Sequence, residues 1–363
     1  MSEGVTVHVD LPYSPYDITV CDDILSEIAP LLAPHLAGHK AAIISDSNVG
    51  ASHAKTVAFS FKSVGIEPIV ATLSAGEEYK TLASLLPVFD QLLDAKIERS
   101  TPIIAVGGGV VGDMAGFVAA VILRGVPFVQ VPTTLLSMVD ASIGGKTGVD
   151  HALGKNLIGA FHQPIAVFID PQTLATLPPQ QFRSGLAECI KHDLIRDADG
   201  FVQLEKQLEL ILKLDPRTMI QFIAHNVAIK AKVVSADPFE KGERAHLNFG
   251  HTFGHAIETV SNFSYAHGEA IALGMTAAAY TSQKLGMIDA ASTARIKALI
   301  DRAGLPTGGL KLDADRILEV MQSDKKVKSG RIRFVLLERI GQATVRDDVP
   351  PALVREAIDS LRG

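Results

Sequence analysis

The sequence predicts an α/β first half with a mostly parallel sheet, followed by an all-α second half. Two observations carry this. Short β-rich runs at 41–45, 67–71, 102–106, 128–131 and 166–169 alternate with helix-length segments, the order that a parallel sheet with crossover helices requires. Beyond the double proline Pro178-Pro179 the strand signal almost disappears, and 185–196, 201–214, 218–235, 252–260, 269–285 and 292–303 read as helices. The proline pair is the natural seam, giving domains at 1–178 and 179–363. A late run, 332–337, reads as a small strand or hairpin.

Composition narrows the function classes. A chain of 363 residues with 47% hydrophobic and 20% charged residues can bury a sizeable core and is not disordered. Its formal charge of −6 gives no reason to expect nucleic acid or an anionic membrane as partner. The longest apolar stretch, 103–123, is broken by glycines and Asp113, a poor membrane span. The first ten residues lack the features of a signal peptide. Cys21 and Cys189 offer no disulfide framework and fit a reducing cytoplasm.

The third β-rich run leads straight into Gly107-Gly108-Gly109-Val110-Val111-Gly112-Asp113. Glycines 107, 109 and 112 satisfy G-x-G-x-x-G between a strand and a helix, where backbone N–H groups can approach a pyrophosphate at the helix N-terminus. The acidic residue expected about twenty positions later is absent. Asp46 instead ends the first run, where a carboxylate can hold ribose hydroxyls. The competing reading is a tight turn serving strand–helix packing alone.

A second cluster follows at Thr133, Thr134, Asp140, 144–148 and 154–156. Gly-Lys-Thr at 145–147 is not a P-loop, because that motif needs glycine where Asp140 stands. What remains are glycine-bounded loops presenting Lys146, Lys155 and Asn156, suited to a phosphorylated ligand. Solvated surface lysines are the alternative.

The second half carries metal-ligand chemistry. Histidines 246, 251, 255 and 267 fall close together, and the four-residue spacing of His251 and His255 sets both on one helical face. Imidazole is the commonest metal ligand, and a catalytic zinc usually takes three protein ligands. Packing or capping histidines are the alternative. Glu188 lies among Ala187, Ile190 and Leu194, company in which a carboxylate must be metal-bound or paired, and Lys191 shares its face. Glu240 and Arg244 are four apart just upstream of the histidines, and Lys230 lies one helix earlier.

Taken together, the stretches 107–117, 131–149, 154–164, 186–192 and 247–258, in this order, resemble the 3-dehydroquinate synthase family. The resemblance runs from about Asp46 to Lys326. It implies conversion of 3-deoxy-D-arabino-heptulosonate 7-phosphate to 3-dehydroquinate and phosphate, in the shikimate pathway to aromatic amino acids. The implied fold is an α/β NAD-binding domain followed by a helical metal- and substrate-binding domain.

The resemblance also implies a site. Zinc, with cobalt as substitute, would be held by Glu188, His251 and His267. NAD would meet Asp46, Glu77, Lys80, Gly107, Gly108, Gly109, Val110, Val111, Gly112, Asp113, Thr133, Thr134, Asp140, Lys146, Lys155, Thr173, Leu174, Ala175 and Thr176. Substrate would meet Arg124, Lys146, Asn156, Lys191, Lys230, Arg244, Asn248, His255 and Lys325. The catalytic groups would be Lys191, Asn248, His255, Asp140, Glu240 and Arg244. Arg124 is similar to an arginine that reaches across a homodimer to the phosphate. The family usually has Asp-Gly-Glu where Ala75-Gly76-Glu77 stands and glycine where Asp193 stands; neither departure removes a ligand.

The implied chemistry is transient oxidation of the substrate by NAD, β-elimination of phosphate, re-reduction, ring opening and intramolecular aldol closure. Two relatives in chemistry stay open: a metal-dependent polyol dehydrogenase and another sugar-phosphate cyclase. The first has no evident use for Arg124, Lys146, Asn156 and Lys325. The second generally departs from Gly-Gly-Lys-Thr-Gly, which 144–148 keeps. A non-catalytic NAD-binding or metal-sensing module is the reading from another class.

Overall fold

The computed structural model describes residues 4–239, 242–323 and 332–363. Strands β1 (Val5–Val9) and β2 (Tyr16–Val20) open the chain, before a short helix α1 (Ile28–Leu32). The alternation then runs β3 (Lys40–Asp46), α2 (Lys55–Ser63), β4 (Glu67–Leu73), α3 (Leu82–Asp94), β5 (Ile103–Gly107), α4 (Gly109–Val121) and β6 (Phe128–Pro132). A hairpin of β7 (Lys146–His151) and β8 (Gly154–Phe161) precedes β9 (Ala166–Ile169).

Seven of these strands form one sheet in the order β1-β2-β9-β6-β5-β3-β4. All neighbours are parallel except β1 and β2. The parallel core follows from helical crossovers, which return each strand to the same end. Successive residues of one strand serve opposite faces. Ile43 and Ile104 pack with Ile28, Leu32, Val57 and Phe61, whereas Ile44, Ile103 and Ala105 pack with Leu85, Val88, Met114 and Val118 on the other face. Burying such a side chain fully contributes roughly 1.5–3 kcal/mol, so helices on both faces make the central strands the most firmly held. From β3 the sheet grows to β4 on one side and to β5 on the other. The order therefore reverses between β3 and β5, and that crevice at the carboxyl ends of strands is where α/β sheets bind ligands.

Two stretches differ from the sequence-based expectation. Glycine-bounded loops were expected at 144–148 and 154–156, but Lys146 and 154–156 belong to the paired strands β7 and β8. Gly148 stands opposite Gly159, and a Cβ on Gly148 would lie 2.5 Å from the Ile158 carbonyl oxygen. The glycines here allow close strand approach, and their low β-propensity hides the strand from a sequence pattern. The β1–β2 hairpin lies outside the five expected strands, because Thr6, His8, Asp17 and Thr19 interrupt the continuous apolar run that marks a fully buried strand.

The remainder comprises α5 (Pro179–Arg196), α6 (Ala198–Leu212), α7 (Pro216–Ala236), α8 (His251–Val260), α9 (His267–Lys284), α10 (Ala290–Arg302), α11 (Ala314–Ser323), the antiparallel pair β10 (Phe334–Arg339) and β11 (Gln342–Arg346), and α12 (Pro351–Ser360). The chain divides into two compact units, 1–177 with 216–235, and 178–215 with 236–363. Most of α7 thus belongs to the α/β unit, where the sequence-based boundary assigns it to the helical half. Helical periodicity says which residues face a core but not which core they face. No described helix is long and apolar enough to cross a membrane.

Candidate active site

In the first unit, candidate residues gather at the carboxyl ends of the central strands. Asp46 ends β3, and its carboxylate accepts the Asn48 and Val49 amides at 2.9 and 3.2 Å, fixing the turn that follows. Gly107 ends β5, and its carbonyl accepts the Thr133 amide at 2.9 Å. None of glycines 107, 108, 109 and 112 has positive φ, so their value is space. A Cβ on Gly112 would lie 2.8 Å from Gln130 Oε1, and one on Gly107 would lie 2.6 Å from Val111 Cγ2. Gly112 therefore serves strand–helix packing. Gly108 leads into the first turn of α4, whose leading N–H groups have no partner within the helix. This is a cradle that suits a pyrophosphate. Val110 and Val111 begin α4 behind it. The 173–176 segment sits in a short turn after β9, where Thr176 Oγ1 lies 3.1 Å from His53 Nε2.

Three charged links tie the polar candidates together. Lys80 Nζ lies 2.6 Å from both Asp113 Oδ2 and Asn156 Oδ1. Burial alone would lower the Lys80 ammonium, but Asp113, Glu77 and Asp150 outweigh it and raise it. Burial raises the Asp113 carboxyl, against the pull of Lys80 and Lys230. Asn156 takes the left-handed conformation, with φ of 54°, while its amide donates to Asp150 at 2.7 Å. Lys155 pairs with Glu77 at 3.4 Å. Lys230 pairs with the Asp140 carboxylate and also donates to its carbonyl oxygen. Thr134 Oγ1 lies 2.9 Å from Ser137 Oγ and accepts the Ser137 amide, capping the turn that carries Asp140. Lys146 is exposed. Arg124 is exposed in a turn where Leu123, Arg124 and Gly125 all have positive φ.

The second unit brings Glu188, His251 and His267 together. One ligand atom from each lies within 4.8 Å of the others. The helices reach this arrangement through glycine. A Cβ on Gly268 would fall against the Ser184 backbone, one turn before Glu188 in α5. A Cβ on Gly274 would lie 2.8 Å from the Gly254 amide in α8. The backbones of α5, α8 and α9 thus approach more closely than alanine would allow, a signal that Gly250, Gly254, Gly268 and Gly274 carry in the sequence.

The ligand atoms are oriented. His251 Nδ1 lies 3.1 Å from the Phe249 carbonyl oxygen, leaving Nε2 toward Glu188 Oε1 at 3.5 Å. His267 Nδ1 lies 3.1 Å from Glu258 Oε1, and its Nε2 lies 3.2 Å from Glu188 Oε1. Lys191 donates to the other Glu188 oxygen, Oε2, so the i,i+3 pair forms while Oε1 faces the two imidazoles. His255 stacks edge-on to His251 with ring centroids 5.1 Å apart, off the metal set. Arg244 is buried and donates to the Pro238 carbonyl at 2.9 Å. Asn248 donates to the Ala245 carbonyl at 3.3 Å in the turn before α8. Glu240 and Lys325 lie outside the described residues. Glu258, seven positions beyond His251 on the same face of α8, is a functional candidate that the motif reading passed over.

Burial alone would raise Glu188, but Lys191, His251 and His267 hold it well below the carboxylate range. Burial holds His251 well below the ordinary imidazole range, against the pull of Glu188. For His267 burial alone would lower the imidazole, yet Glu188 and Glu258 push it up to about 10. The metal-free cluster therefore contains one neutral and one protonated imidazole at neutral pH, and a cation entering it must displace the proton of His267. Metal binding is expected to release about one proton near pH 7, and affinity should rise about tenfold per pH unit from there toward the His267 pKa. Calorimetric titration in buffers of different ionisation enthalpy measures that proton, and a value near zero would contradict this charge assignment.

Two imidazole nitrogens and one carboxylate form a donor set suited to a divalent catalytic metal. Comparison with known proteins gives the family. Residues 70–184 match the family model described as 3-dehydroquinate synthase N-terminal, and residues 185–327 match the one described as 3-dehydroquinate synthase C-terminal. The 3-dehydroquinate synthase of Nitrosomonas europaea is 46% identical over 361 residues, covering 99% of this chain and 98% of that protein. A 2-deoxy-scyllo-inosose synthase solved with carbaglucose-6-phosphate, NAD+ and Co2+ superposes with a TM-score of 0.90 at 28% identity, over 98% of this chain and 100% of that one. A 2-epi-5-epi-valiolone synthase from Streptomyces hygroscopicus with NAD+ and Zn2+ bound gives a TM-score of 0.88 at 28% identity, over 97% and 98%. On both halves and nearly its full length, the chain belongs to the 3-dehydroquinate synthase family.

Proposed function

We propose that this chain converts 3-deoxy-D-arabino-heptulosonate 7-phosphate to 3-dehydroquinate and phosphate, using NAD and a divalent ion, zinc or cobalt. The observation that carries the proposal is the Glu188–His251–His267 set, built around a fully buried Glu188, in a chain 46% identical to a 3-dehydroquinate synthase. In this reading the first unit binds NAD at the β3–β5 crevice. Asp46, Glu77, Lys80, the 107–113 loop, Thr133, Thr134, Asp140, Lys146, Lys155 and the 173–176 turn serve the cofactor. The second unit holds the metal through Glu188, His251 and His267.

When bound, NAD would supply reversible hydride acceptance, and a metal held by Glu188, His251 and His267 would supply Lewis acidity. The residues of the chain bind, orient and move protons. Lys191, already buried beside Glu188, offers a fixed ammonium to an anionic substrate group. Arg244 and Asn248, positioned by the turn before α8, add donors. His255, one turn beyond His251 and off the metal set, is placed to exchange a proton with a substrate hydroxyl. Lys146, Asn156, Lys230 and Lys325 supply the remaining anion and hydroxyl contacts, and Asp140 balances the Lys230 charge. Such preorganised donors work chiefly by holding the reacting carbons in place and stabilising charge as it develops.

Arg124, exposed in its left-handed turn, is suited to meet the substrate phosphate in a second copy of the chain, which makes the working form a homodimer. Cys21 and Cys189, both buried and neither in a disulfide, fit a reducing cytoplasm. The test is to follow phosphate release and nicotinamide absorbance together in one sample. Stoichiometric phosphate with no net reduced cofactor, abolished by a chelator and restored by zinc, is expected. Reduced cofactor accumulating with simple polyols, and no phosphate, would move the chain to the dehydrogenases.

A further inference from the structure

The two histidine ligands are anchored differently. Each turns Nε2 toward Glu188 because its Nδ1 has an acceptor, but for His251 that acceptor is a neutral backbone carbonyl and for His267 it is the Glu258 carboxylate. Glu258 is no candidate ligand to the same ion. Its oxygen meets the Nδ1 edge of the ring, and the ligand set contains Glu188, His251 and His267 without it. The carboxylate is largely buried, with 11% of its side chain exposed against 32% for His267. Burial of a charge requires a partner that uses it.

The position of His267 explains the need. It is the first residue of α9, where the helix dipole presents its positive end and disfavours added positive charge. Glu188 already faces the ammonium of Lys191, so its charge is partly spent before any cation enters. Glu258 brings a second negative charge to the group. A carboxylate on Nδ1–H also fixes the tautomer, leaves the Nε2 lone pair for the metal and raises its donor strength.

We infer that Glu258 is a positioning residue that holds His267 in its ligating tautomer and sets how tightly the divalent ion is retained. This rests on the metal reading of the Glu188–His251–His267 set. The test is Co2+ titration of the metal-free protein against a competing chelator, with the visible Co2+ spectrum recorded, for the parent, Glu258→Ala, Glu258→Gln and the exposed neighbour Thr259→Ala. Glu258→Ala is expected to bind about 10–100-fold more weakly, with a shifted spectrum. Glu258→Gln keeps an oxygen for Nδ1–H but loses the charge, and should fall between Glu258→Ala and the parent. Thr259→Ala should match the parent in both readouts. If Glu258→Ala does not fold, the nearly isosteric Glu258→Gln decides alone. A parent that binds one ion while the Glu258→Ala and Glu258→Gln proteins match it in affinity and spectrum overturns the inference and leaves the metal site standing. A parent that binds no ion removes both.

Discussion

Glu188→Ala is expected to lose the metal ion and about 3–5 kcal/mol of stability together. The second effect comes from Lys191, whose side chain is 1% exposed and paired with Glu188. Removing one partner of a buried pair takes the opposite charge away from a group that stays desolvated. Glu188→Gln keeps the volume but not the charge, so it should also lose metal and be destabilised for the same reason. His251→Ala should differ. Its imidazole is neutral in the metal-free cluster, so truncation should abolish metal binding at a smaller cost, about 1–3 kcal/mol for a buried side chain. Metal content after dialysis and thermal unfolding of the metal-free proteins separate the two effects. Equal unfolding temperatures for Glu188→Ala and the parent, both metal-free, would show that the Glu188–Lys191 pair does not carry the weight given to it. Stoichiometric zinc retained by either alanine variant would overturn the ligand assignment.

Lys80→Met is the second large effect expected. Lys80 is 4% exposed in its side chain and Asp113 is 21% exposed, so the loss should lie near the lower end for a buried pair, about 3 kcal/mol. The same substitution frees the Asn156 side chain from Lys80, and NAD affinity should fall with it. The pH dependence has a definite sign. The Asp113 carboxyl already sits above its ordinary value of 3.8 through burial, and without Lys80 it should rise further. A carboxylate whose folded pKa exceeds its unfolded value makes the folded state the stronger proton binder, so stability falls as pH rises between the two values. The deficit of Lys80→Met should therefore shrink as pH falls toward 4. Urea unfolding midpoints across that range measure it, and a Lys80→Met protein as stable as the parent at pH 7 would dismiss the argument.

Much of this site was legible before the fold was known. Glycines 107, 109 and 112 between a strand and a helix pointed to a phosphate cradle, and Asp46 lay at the end of an earlier strand. Only the strand order shows why the two belong together: β3 and β5 are neighbours across the reversal of the sheet. Spacing set His251 and His255 on one helical face but left the ligand set open, and the resemblance supplied His251 with His267. The structure joins Glu188, His251 and His267, with His255 stacked beside them. Sequence separation carries no distance information across three helices, whereas backbone contact at Gly268 and Gly274 does.

What the sequence by itself determined was therefore local and compositional. Five of the seven sheet strands, the principal helices and the chemistry of the donor groups are all functions of periodicity, turn residues and side-chain type. Tertiary structure alone decided which charged groups meet. It placed Lys80 between Asp113 and Asn156, brought Lys230 from α7 to Asp140, closed β7 on β8 and set Glu258 behind His267. The Lys80 and Lys230 pairings join residues 33 to 90 positions apart, brought together by how packed layers exclude water and bring distant backbones into contact. The β7–β8 and Glu258–His267 pairings are closer in sequence, but residue spacing alone does not say that they meet.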